Sequence, residues 1–258
     1  MENGDTFWDF AAYAGFTKHI GGVRATEELA ALCHIGEGSY VLDVGCGAGA
    51  TACFLAKRYG CSVVGVDIKA GMIDRSNERA KREGVADRVE FRVADAQDLP
   101  FENDLYDAVI TESTTAFPED KQRAVKEYAR VTRSGGYVGL NESTWLKVPP
   151  PAEVVAWVSQ DLGGSAVPLT AEEWVGLIEG ADLRETSATV REISIKEETR
   201  GILQRYGCVG MLRVWSRMLA LYVRNPAYRR FVKGLREGGM TPDHVEEYFG
   251  YGLFVGQK

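Results

Sequence analysis

The chain has 258 residues, of which 45% are hydrophobic and 26% charged, which suits a folded domain with a sizeable core and excludes a disordered chain. The formal net charge of −7 disfavours a nucleic-acid partner, because the average surface field repels phosphate backbones. No run of roughly 18 apolar residues is present, so the sequence predicts no transmembrane helix.

Residues 7–34 have helical spacing, with interruptions at Gly15 and at Gly21-Gly22, and Thr26 is a candidate N-cap for the second helical piece. Short apolar runs then alternate with helical patterns. The runs predict strands over 40–44, 61–66, 89–93, 108–110 and 137–141, and helices over 50–59, 70–83 and 119–132. This alternation is typical of a doubly wound α/β fold with a mostly parallel sheet and helices on both faces.

The pattern after residue 145 is less regular. It predicts helices over 152–162, 170–179 and 198–223, a further helix after Asn225-Pro226, and strands over 183–195 and 248–255. The expected fold is therefore a Rossmann-like, seven-stranded sheet with helical cap insertions. We expect an N-terminal segment (1–34), a core (35–197 and 246–258) and a helical cap (198–245).

Acidic residues follow four of the predicted strands. They are Asp43, Asp67, Asp95 and Glu112. Right-handed crossovers bring the carboxyl ends of parallel strands to one edge of the sheet, where such folds bind ligands. We therefore expect these four carboxylates to lie around one binding site.

A glycine-rich turn, Val41–Gly49 (VLDVGCGAG), joins the first of these strands to a helix. Glycines let the backbone turn tightly and approach a ligand, and the following helix N-terminus offers N–H groups to an anion. Gly45, Gly47 and Ala50 also satisfy the dinucleotide pattern G-x-G-x-x-G/A, which is a weak signal alone. The carboxylate of Asp43 would repel the pyrophosphate of a dinucleotide but attract a cationic ligand. Its presence therefore favours a cationic ligand at this turn.

Five segments in order, VLDVGCGAG, VVGVDI, RVEFRVADAQDLPF, YDAVITES and EYARVTRSGGYVGLNE, resemble the motif series of class I S-adenosylmethionine-dependent methyltransferases. The resemblance covers roughly residues 35–145 and is greatest to the small-molecule branch that includes quinone-biosynthesis enzymes. It implies in-line transfer of a methyl group from S-adenosylmethionine to a small organic acceptor, leaving S-adenosylhomocysteine, without a metal or a covalent protein intermediate. It also implies that the N-terminal segment folds over the cofactor.

The resemblance carries over to individual residues. Asp43, Gly45, Gly47 and Gly49 would hold the methionine part of the cofactor, with Cys46 as a small residue inside the same loop. Asp67 would accept hydrogen bonds from the ribose hydroxyls, and Ile68 and Met72 would pack on the adenine. Asp95, preferred to Asp98, would accept from the adenine amine, while Ala96 would donate a backbone N–H. Glu112 would lie near the reactive methyl group.

Two catalytic candidates are Glu112 and His19, the latter as a general base with Tyr13 as a further possibility. An NAD(P)-dependent oxidoreductase or a non-catalytic S-adenosylmethionine-binding protein are the alternatives. Asn225-Pro226-Ala227-Tyr228 resembles the tetrapeptide of nucleic-acid amino-methylases, but it lies far from the fourth strand and is explained as a helix N-cap.

The remaining expectations concern location and partners. Five cysteines without CxxC spacing, and an N-terminus without basic or apolar signal regions, indicate a reduced, cytoplasmic protein. The helices of the cap region could mediate a homodimer. Their arginines form a locally basic surface that could bind an anionic substrate or a membrane.

Overall fold

The computed structural model describes all residues except 1–6, 16, 18, 163–165, 194, 238–241 and 243. Its strands are β1 (Tyr40–Val44), β2 (Ser62–Asp67), β3 (Val89–Val93), β4 (Tyr106–Glu112), β5 (Thr132–Trp145), β6 (Leu169–Thr170), β7 (Arg184–Glu192) and β8 (Phe249–Gln257). Its helices are α1 (Phe7–Ala14), α2 (Gly22–Leu32), α3 (Ala50–Tyr59), α4 (Ala70–Glu83), α5 (Lys121–Val131), α6 (Ala152–Asp161), α7 (Ala171–Glu179), α8 (Ile195–Arg224), α9 (Pro226–Glu237) and α10 (Val245–Tyr248).

Seven strands run through the sheet in the order β3-β2-β1-β4-β5-β8-β7. The pairs among the first five are parallel, whereas β8 is antiparallel to both β5 and β7. The eighth strand, β6, has two residues and pairs with the end of β5. The predicted doubly wound, mostly parallel α/β fold is thus confirmed, with one short strand in addition.

Strand β1 lies at the centre of the parallel half of the sheet, between β2 and β4. Val41, Leu42 and Val44 are fully buried, as expected for a strand covered by helices on both faces. The chain leaves β1 through the glycine turn and enters α3 at its left-handed N-cap, Gly49. The carboxyl ends of β1 to β4 therefore open toward one side of the molecule.

The N-terminal helices differ from the prediction at one position. Helix α2 begins at Gly22 after the left-handed Gly21, so Thr26 lies inside the helix, and its assignment as an N-cap is wrong. The chain uses Gly21 at this turn because a side chain there would collide with Ala25 and the ring of Tyr251. The Thr26 hydroxyl is consequently available for a contact outside its own helix.

Helices α1, α2, α8 and α9 pack together beside the sheet. Phe10, Leu221 and Tyr228 form a small buried cluster separate from the main core. Helix α8 is kinked at Gly207, which has φ of +63°. It begins at Ile195, slightly before the start predicted for the cap, and the division into N-terminal segment, core and cap stays a prediction.

Among the described residues, no helix is both long enough and apolar enough to cross a membrane.

Candidate functional site

A cavity of about 420 Å³ opens at the carboxyl ends of β1 to β4. Eleven of the predicted site residues line it: His19, Asp43, Gly45, Cys46, Gly47, Asp67, Ile68, Met72, Asp95, Ala96 and Glu112. Cavities of this size bury most of a small ligand. The four strand-end carboxylates thus meet around one site, as the topology predicted.

Three candidates lie away from this cavity. Gly49 is enclosed by the side chains of Ser76 and Phe91 at the start of α3. Tyr13 packs under the guanidinium of Arg75, on a different surface. Asp98 is exposed and outside the cavity lining, which leaves Asp95 as the acid of that loop that faces the site.

The glycine turn is closely confined by its neighbours. The N–H groups of Gly45 and Cys46 donate to the carbonyl of Val66 at 2.8 and 2.9 Å, which ties the turn to β2. Gly45 has φ of +72°, and a Cβ atom there would overlap the side chain of Thr114. A glycine is therefore required at this position for both its backbone conformation and its missing side chain.

Asp67 is held at the end of β2 by two backbone donors. Its Oδ2 accepts from the N–H of Gly47 at 3.0 Å and its Oδ1 from the N–H of Lys69 at 2.9 Å. Burial raises the pKa of Asp67, partly offset by these hydrogen bonds and by the Lys69 charge. Each carboxylate oxygen can accept a further hydrogen bond, so this side chain suits a ligand with adjacent hydroxyls.

The outer part of the cavity combines apolar and polar groups. Ile68 is 64% exposed although it is apolar, and Met72 beside it is buried. Asp95 accepts from the N–H of Gln97 at 2.9 Å, which fixes the carboxylate within its loop. An exposed apolar side chain in a cavity wall suits the face of a flat ring.

Glu112 is the centre of a buried polar cluster at the inner end of the cavity. Its Oε1 lies 3.0 Å from the hydroxyl of Thr26 and 3.2 Å from Nδ2 of Asn141, and both groups donate to it. Its Oε2 accepts from the hydroxyl of Thr51 at 2.6 Å and lies 3.4 Å from Nε2 of His19. Side chains from α2, α3, β5 and the segment before α2 therefore surround the carboxylate at the end of β4.

His19 is buried and lines the cavity directly. Its Nδ1 lies 3.2 Å from the carbonyl of Ile20, and its Nε2 lies 3.2 Å from the hydroxyl of Thr26. A buried imidazole beside a carboxylate can take up a proton, because the carboxylate stabilises the imidazolium. The two predicted catalytic residues thus form one pair.

Three partners of Glu112, namely Thr26, Thr51 and Asn141, were not predicted from the sequence. Asn141 pairs directly with Glu112 in the register of β4 and β5, so the order of the predicted strands could have indicated it. Thr26 and Thr51 lie on helices whose rotation about their axes is set by packing, and no local pattern marks them.

The loop after β4 is anchored by the buried residue Glu142. Its Oε1 accepts from the N–H groups of Thr114 and Thr115, at 2.9 and 2.6 Å, and from the hydroxyl of Thr111 at 3.0 Å. Burial raises the pKa of Glu142, and the hydrogen bonds lower it by less. Within the described chain, its Oε2 has no hydrogen-bond partner. Glu142 therefore fixes the loop that faces Gly45.

The N-terminal wall of the cavity is tied to α8. The hydroxyl of Tyr206 donates to the carbonyl of Thr17 at 2.7 Å and accepts from the N–H of Thr17 at 2.8 Å. Thr17 lines the cavity and touches the turn at Gly47. One aromatic side chain thus links the cap region to the glycine turn.

Cys46 is a buried thiol rather than a reactive one. Burial, followed by the charges of Asp43 and Asp67, raises the pKa of the thiol well above its ordinary value. The four other cysteines are also free, and Cys208 is exposed. Among the described residues, no cluster of His, Cys, Asp and Glu is arranged to hold a metal ion.

The Asn225 segment has the structural role that was predicted for it. The Oδ1 of Asn225 accepts from the N–H groups of Ala227 and Tyr228, at 2.8 and 3.1 Å. Asn225 is thus the N-cap of α9, with Pro226 in its first turn. The segment is far along the chain from β4 and contributes nothing to the cavity lining.

Comparisons with known proteins identify the domain. Residues 41–136 match the family described as methyltransferase domain. The 27-O-demethylrifamycin SV methyltransferase of Amycolatopsis mediterranei is 30% identical over 183 residues, which are 71% of this chain and 63% of that enzyme. The chain therefore spans less than two thirds of the length of this relative.

Solved structures share the fold at low identity. Phosphoethanolamine N-methyltransferase 2 of Haemonchus contortus, in complex with S-adenosyl-L-methionine, superposes with a TM-score of 0.72 at 21% identity, over 97% of this chain and 56% of that one. The [4+2]-cyclase SpnF superposes with a TM-score of 0.65 at 20% identity, over 91% of this chain and 80% of that one. The fold thus also occurs in a protein named for a different reaction.

Residues 41–136 thus match a methyltransferase domain family, and one structural neighbour is named in complex with S-adenosyl-L-methionine. The observed site fits that molecule. The turn at Gly45 and Gly47 leaves no room for side chains, and Asp67 offers acceptor oxygens for hydroxyl groups. Asp43 and Glu112 both line the cavity, where acidic side chains suit an ammonium and a sulfonium group.

Proposed function

We propose that this protein transfers a methyl group from S-adenosylmethionine to a small organic acceptor, with S-adenosylhomocysteine as the second product. The observation that carries the proposal is the meeting of four strand-end carboxylates and the glycine turn around one cavity. The relative from Amycolatopsis is named as a methyltransferase of demethylrifamycin, a small molecule, which supports this class of acceptor. No observation favours a dinucleotide or a redox reaction at this site.

Different residues of the cavity are assigned to different parts of the cofactor. When bound, S-adenosylmethionine supplies an electrophilic methyl group on a positively charged sulfur. Asp43 and the glycine turn would hold the methionine part, Asp67 would accept from the ribose hydroxyls, and Ile68 and Met72 would cover the adenine. Asp95 and Ala96 would bond the edge of the same ring. Enclosure of the site orients the acceptor and excludes water, which is the main source of rate acceleration in such a transfer.

Proton removal from the acceptor is assigned to His19. With S-adenosylmethionine bound as the methyl donor, the imidazole of His19 would accept the proton that the acceptor releases on methylation. Glu112, 3.4 Å from Nε2, stabilises the resulting imidazolium. Thr26, Thr51 and Asn141 keep Glu112 in position for this role.

We also propose a reducing, cytoplasmic location. The support is that all five cysteines are free thiols, including the exposed Cys208, and such thiols persist where disulfides do not form.

Asp67→Ala is expected to weaken S-adenosylhomocysteine binding by about 10- to 100-fold, because charge-assisted hydrogen bonds to two hydroxyls are lost. Isothermal titration calorimetry with the purified protein measures the dissociation constant. Asp98→Ala, which removes an exposed acid outside the cavity, should leave it unchanged. Equal affinities for wild type and Asp67→Ala would overturn the ribose assignment, and NAD binding in place of S-adenosylhomocysteine would overturn the function.

His19→Gln is expected to lower the rate of S-adenosylhomocysteine formation about 100-fold, because the variant cannot accept a proton. The assay adds a low-molecular-weight cell extract as the acceptor source and measures the product by a coupled reaction. Affinity for S-adenosylhomocysteine should change less than about threefold, since glutamine keeps a polar contact to Glu112. Tyr13→Phe, outside the cavity, serves as the control and should behave as wild type. A fully active His19→Gln enzyme rules out this base.

A further inference from the structure

Helix α8 carries an exposed apolar surface after its kink at Gly207. Six large apolar side chains are between 46% and 69% exposed. They are Val209, Leu212, Trp215, Leu219, Tyr222 and Val223. Their spacing of three and four residues places them on one face of the helix, and we call this face the α8 stripe.

The α8 stripe is distinct from the face that packs on the protein. Val214 and Leu221 are 4% and 3% exposed, and Leu221 contacts Phe10 of α1 in the small buried cluster. The helix is therefore anchored by its own inner face. A large contiguous apolar surface that remains exposed after such packing marks an interaction site.

The charge around the stripe has the opposite sign to that of the whole protein. Between residues 200 and 236 the sequence has nine Arg and Lys and no Asp or Glu, whereas the chain has a net charge of −7. Arg213, Arg224, Arg229 and Arg230 are exposed on α8 and α9. Arg229 donates to the carbonyls of Tyr222 and Val223, which places its positive charge at the end of the stripe.

The exposed apolar face and the arginines beside it together indicate which kind of partner fits the α8 stripe. A helix with Trp, Tyr and Leu on one face and arginines beside it binds in the headgroup region of anionic membranes. From Val209 to Val223 the stripe is about 21 Å long, which lets it lie along a surface. A two-fold dimer through the same stripe would instead bring two arginine-rich segments against each other, at an electrostatic cost.

We propose that the α8 stripe docks this protein on an anionic membrane surface. The apolar side chains enter the boundary between headgroups and acyl chains, and the flanking arginines bind lipid phosphates. The protein would be held reversibly, by one helix face. This inference does not depend on the methyl-transfer reaction.

The test is sedimentation of the purified chain with extruded vesicles, either of phosphatidylcholine alone or of phosphatidylcholine with phosphatidylglycerol. Binding to the anionic vesicles is expected to be at least about tenfold stronger than to the neutral ones and to weaken as salt is raised. The double variant Leu212→Glu/Leu219→Glu should lose at least about tenfold in this binding, because two exposed apolar side chains that would enter the membrane become charged. Val190→Glu, which charges an exposed apolar position on β7, is the matched control and should bind as wild type.

Chemical denaturation of each variant verifies that the fold is retained, since both substituted leucines are exposed. Failure of the wild type to bind anionic vesicles, or equal binding by the double variant, overturns the proposal. A concentration-dependent dimer that the double variant abolishes, without vesicle binding by the wild type, would assign the stripe to a second copy of the chain and would equally overturn it. Methyl transfer can be measured without vesicles, so this outcome is separate from that of the proposed function.

Discussion

Gly45→Ala is expected to abolish measurable S-adenosylhomocysteine binding and to lower the free energy of unfolding by about 3 kcal/mol. The left-handed backbone at this position costs an L-residue about 1 to 2 kcal/mol. Overlap of the new Cβ atom with Thr114 adds a steric cost of about 1 to 3 kcal/mol, because the loop after β4 is anchored by Glu142 and cannot withdraw freely.

Gly84→Ala is the matched control for this substitution. Gly84 has the same φ of +72° as Gly45, but no heavy atom lies within 4 Å of its added Cβ. It should therefore lose about 1 kcal/mol and keep full cofactor affinity. Urea denaturation and calorimetry measure the two quantities. If Gly45→Ala costs no more than Gly84→Ala and still binds, the close contact with Thr114 has no energetic importance.

Glu142→Ala is expected to destabilise the protein by about 3 to 5 kcal/mol, because the substitution leaves the N–H groups of Thr114 and Thr115 buried without an acceptor and opens a cavity. Glu142→Gln keeps an acceptor oxygen and removes a buried charge, so it should remain within about 1 kcal/mol of wild type at neutral pH. Urea midpoints at constant m-value provide the comparison. Similar losses in the two variants would show that charge, and not hydrogen-bond acceptance, anchors the loop.

The difference in unfolding free energy between wild type and Glu142→Gln should change with pH in a direction that the raised pKa determines. Because burial raises the pKa of Glu142 in the folded state, the folded protein retains this proton at a pH where the unfolded chain has released it. The stabilisation that comes from this bound proton is complete below the pKa of Glu142 in the unfolded chain, near 4.5. It is lost as pH rises through the pKa of Glu142 in the folded protein. Wild type should therefore lose stability relative to Glu142→Gln as pH rises above about 4.5, and a constant difference would contradict the raised pKa.

Most of the fold could be predicted from the sequence, because the strands of the parallel half are short buried runs and the helices between them have clear periodicity. Strand β1 and helices α3 and α4 have the predicted bounds. Strand β5 extends to Trp145, beyond its predicted end, because β8 pairs with it over that length. Strand β6 could not be predicted, since two residues carry no periodic pattern.

The site was predictable where topology determines it and not where packing does. The positions of Asp67 and Asp95 follow from the ends of their strands, and both line the cavity. Thr26 was misassigned as a helix cap because a threonine before an apolar run has that local signature, whereas its real partner, Glu112, is 86 residues away. Contacts of this range depend on how α2 packs on the sheet.

The exposure of the α8 stripe could not be predicted from the sequence either. Its apolar spacing predicts a helix with a buried face, and the chain does bury one face, at Val214 and Leu221. The helix has a second apolar face as well, so periodicity alone could not say which of the two meets the core. Only the packed structure separates them.

The Tyr206 hydroxyl connects helix α8 to Thr17, which lines the cavity at the carboxyl ends of the parallel strands. Because this hydroxyl bonds both the carbonyl and the N–H of Thr17, displacing the part of α8 next to the kink at Gly207 must either move Thr17 as well or break both bonds. We therefore expect Tyr206 to influence how fast S-adenosylhomocysteine leaves the cavity, although Tyr206 does not line the cavity itself.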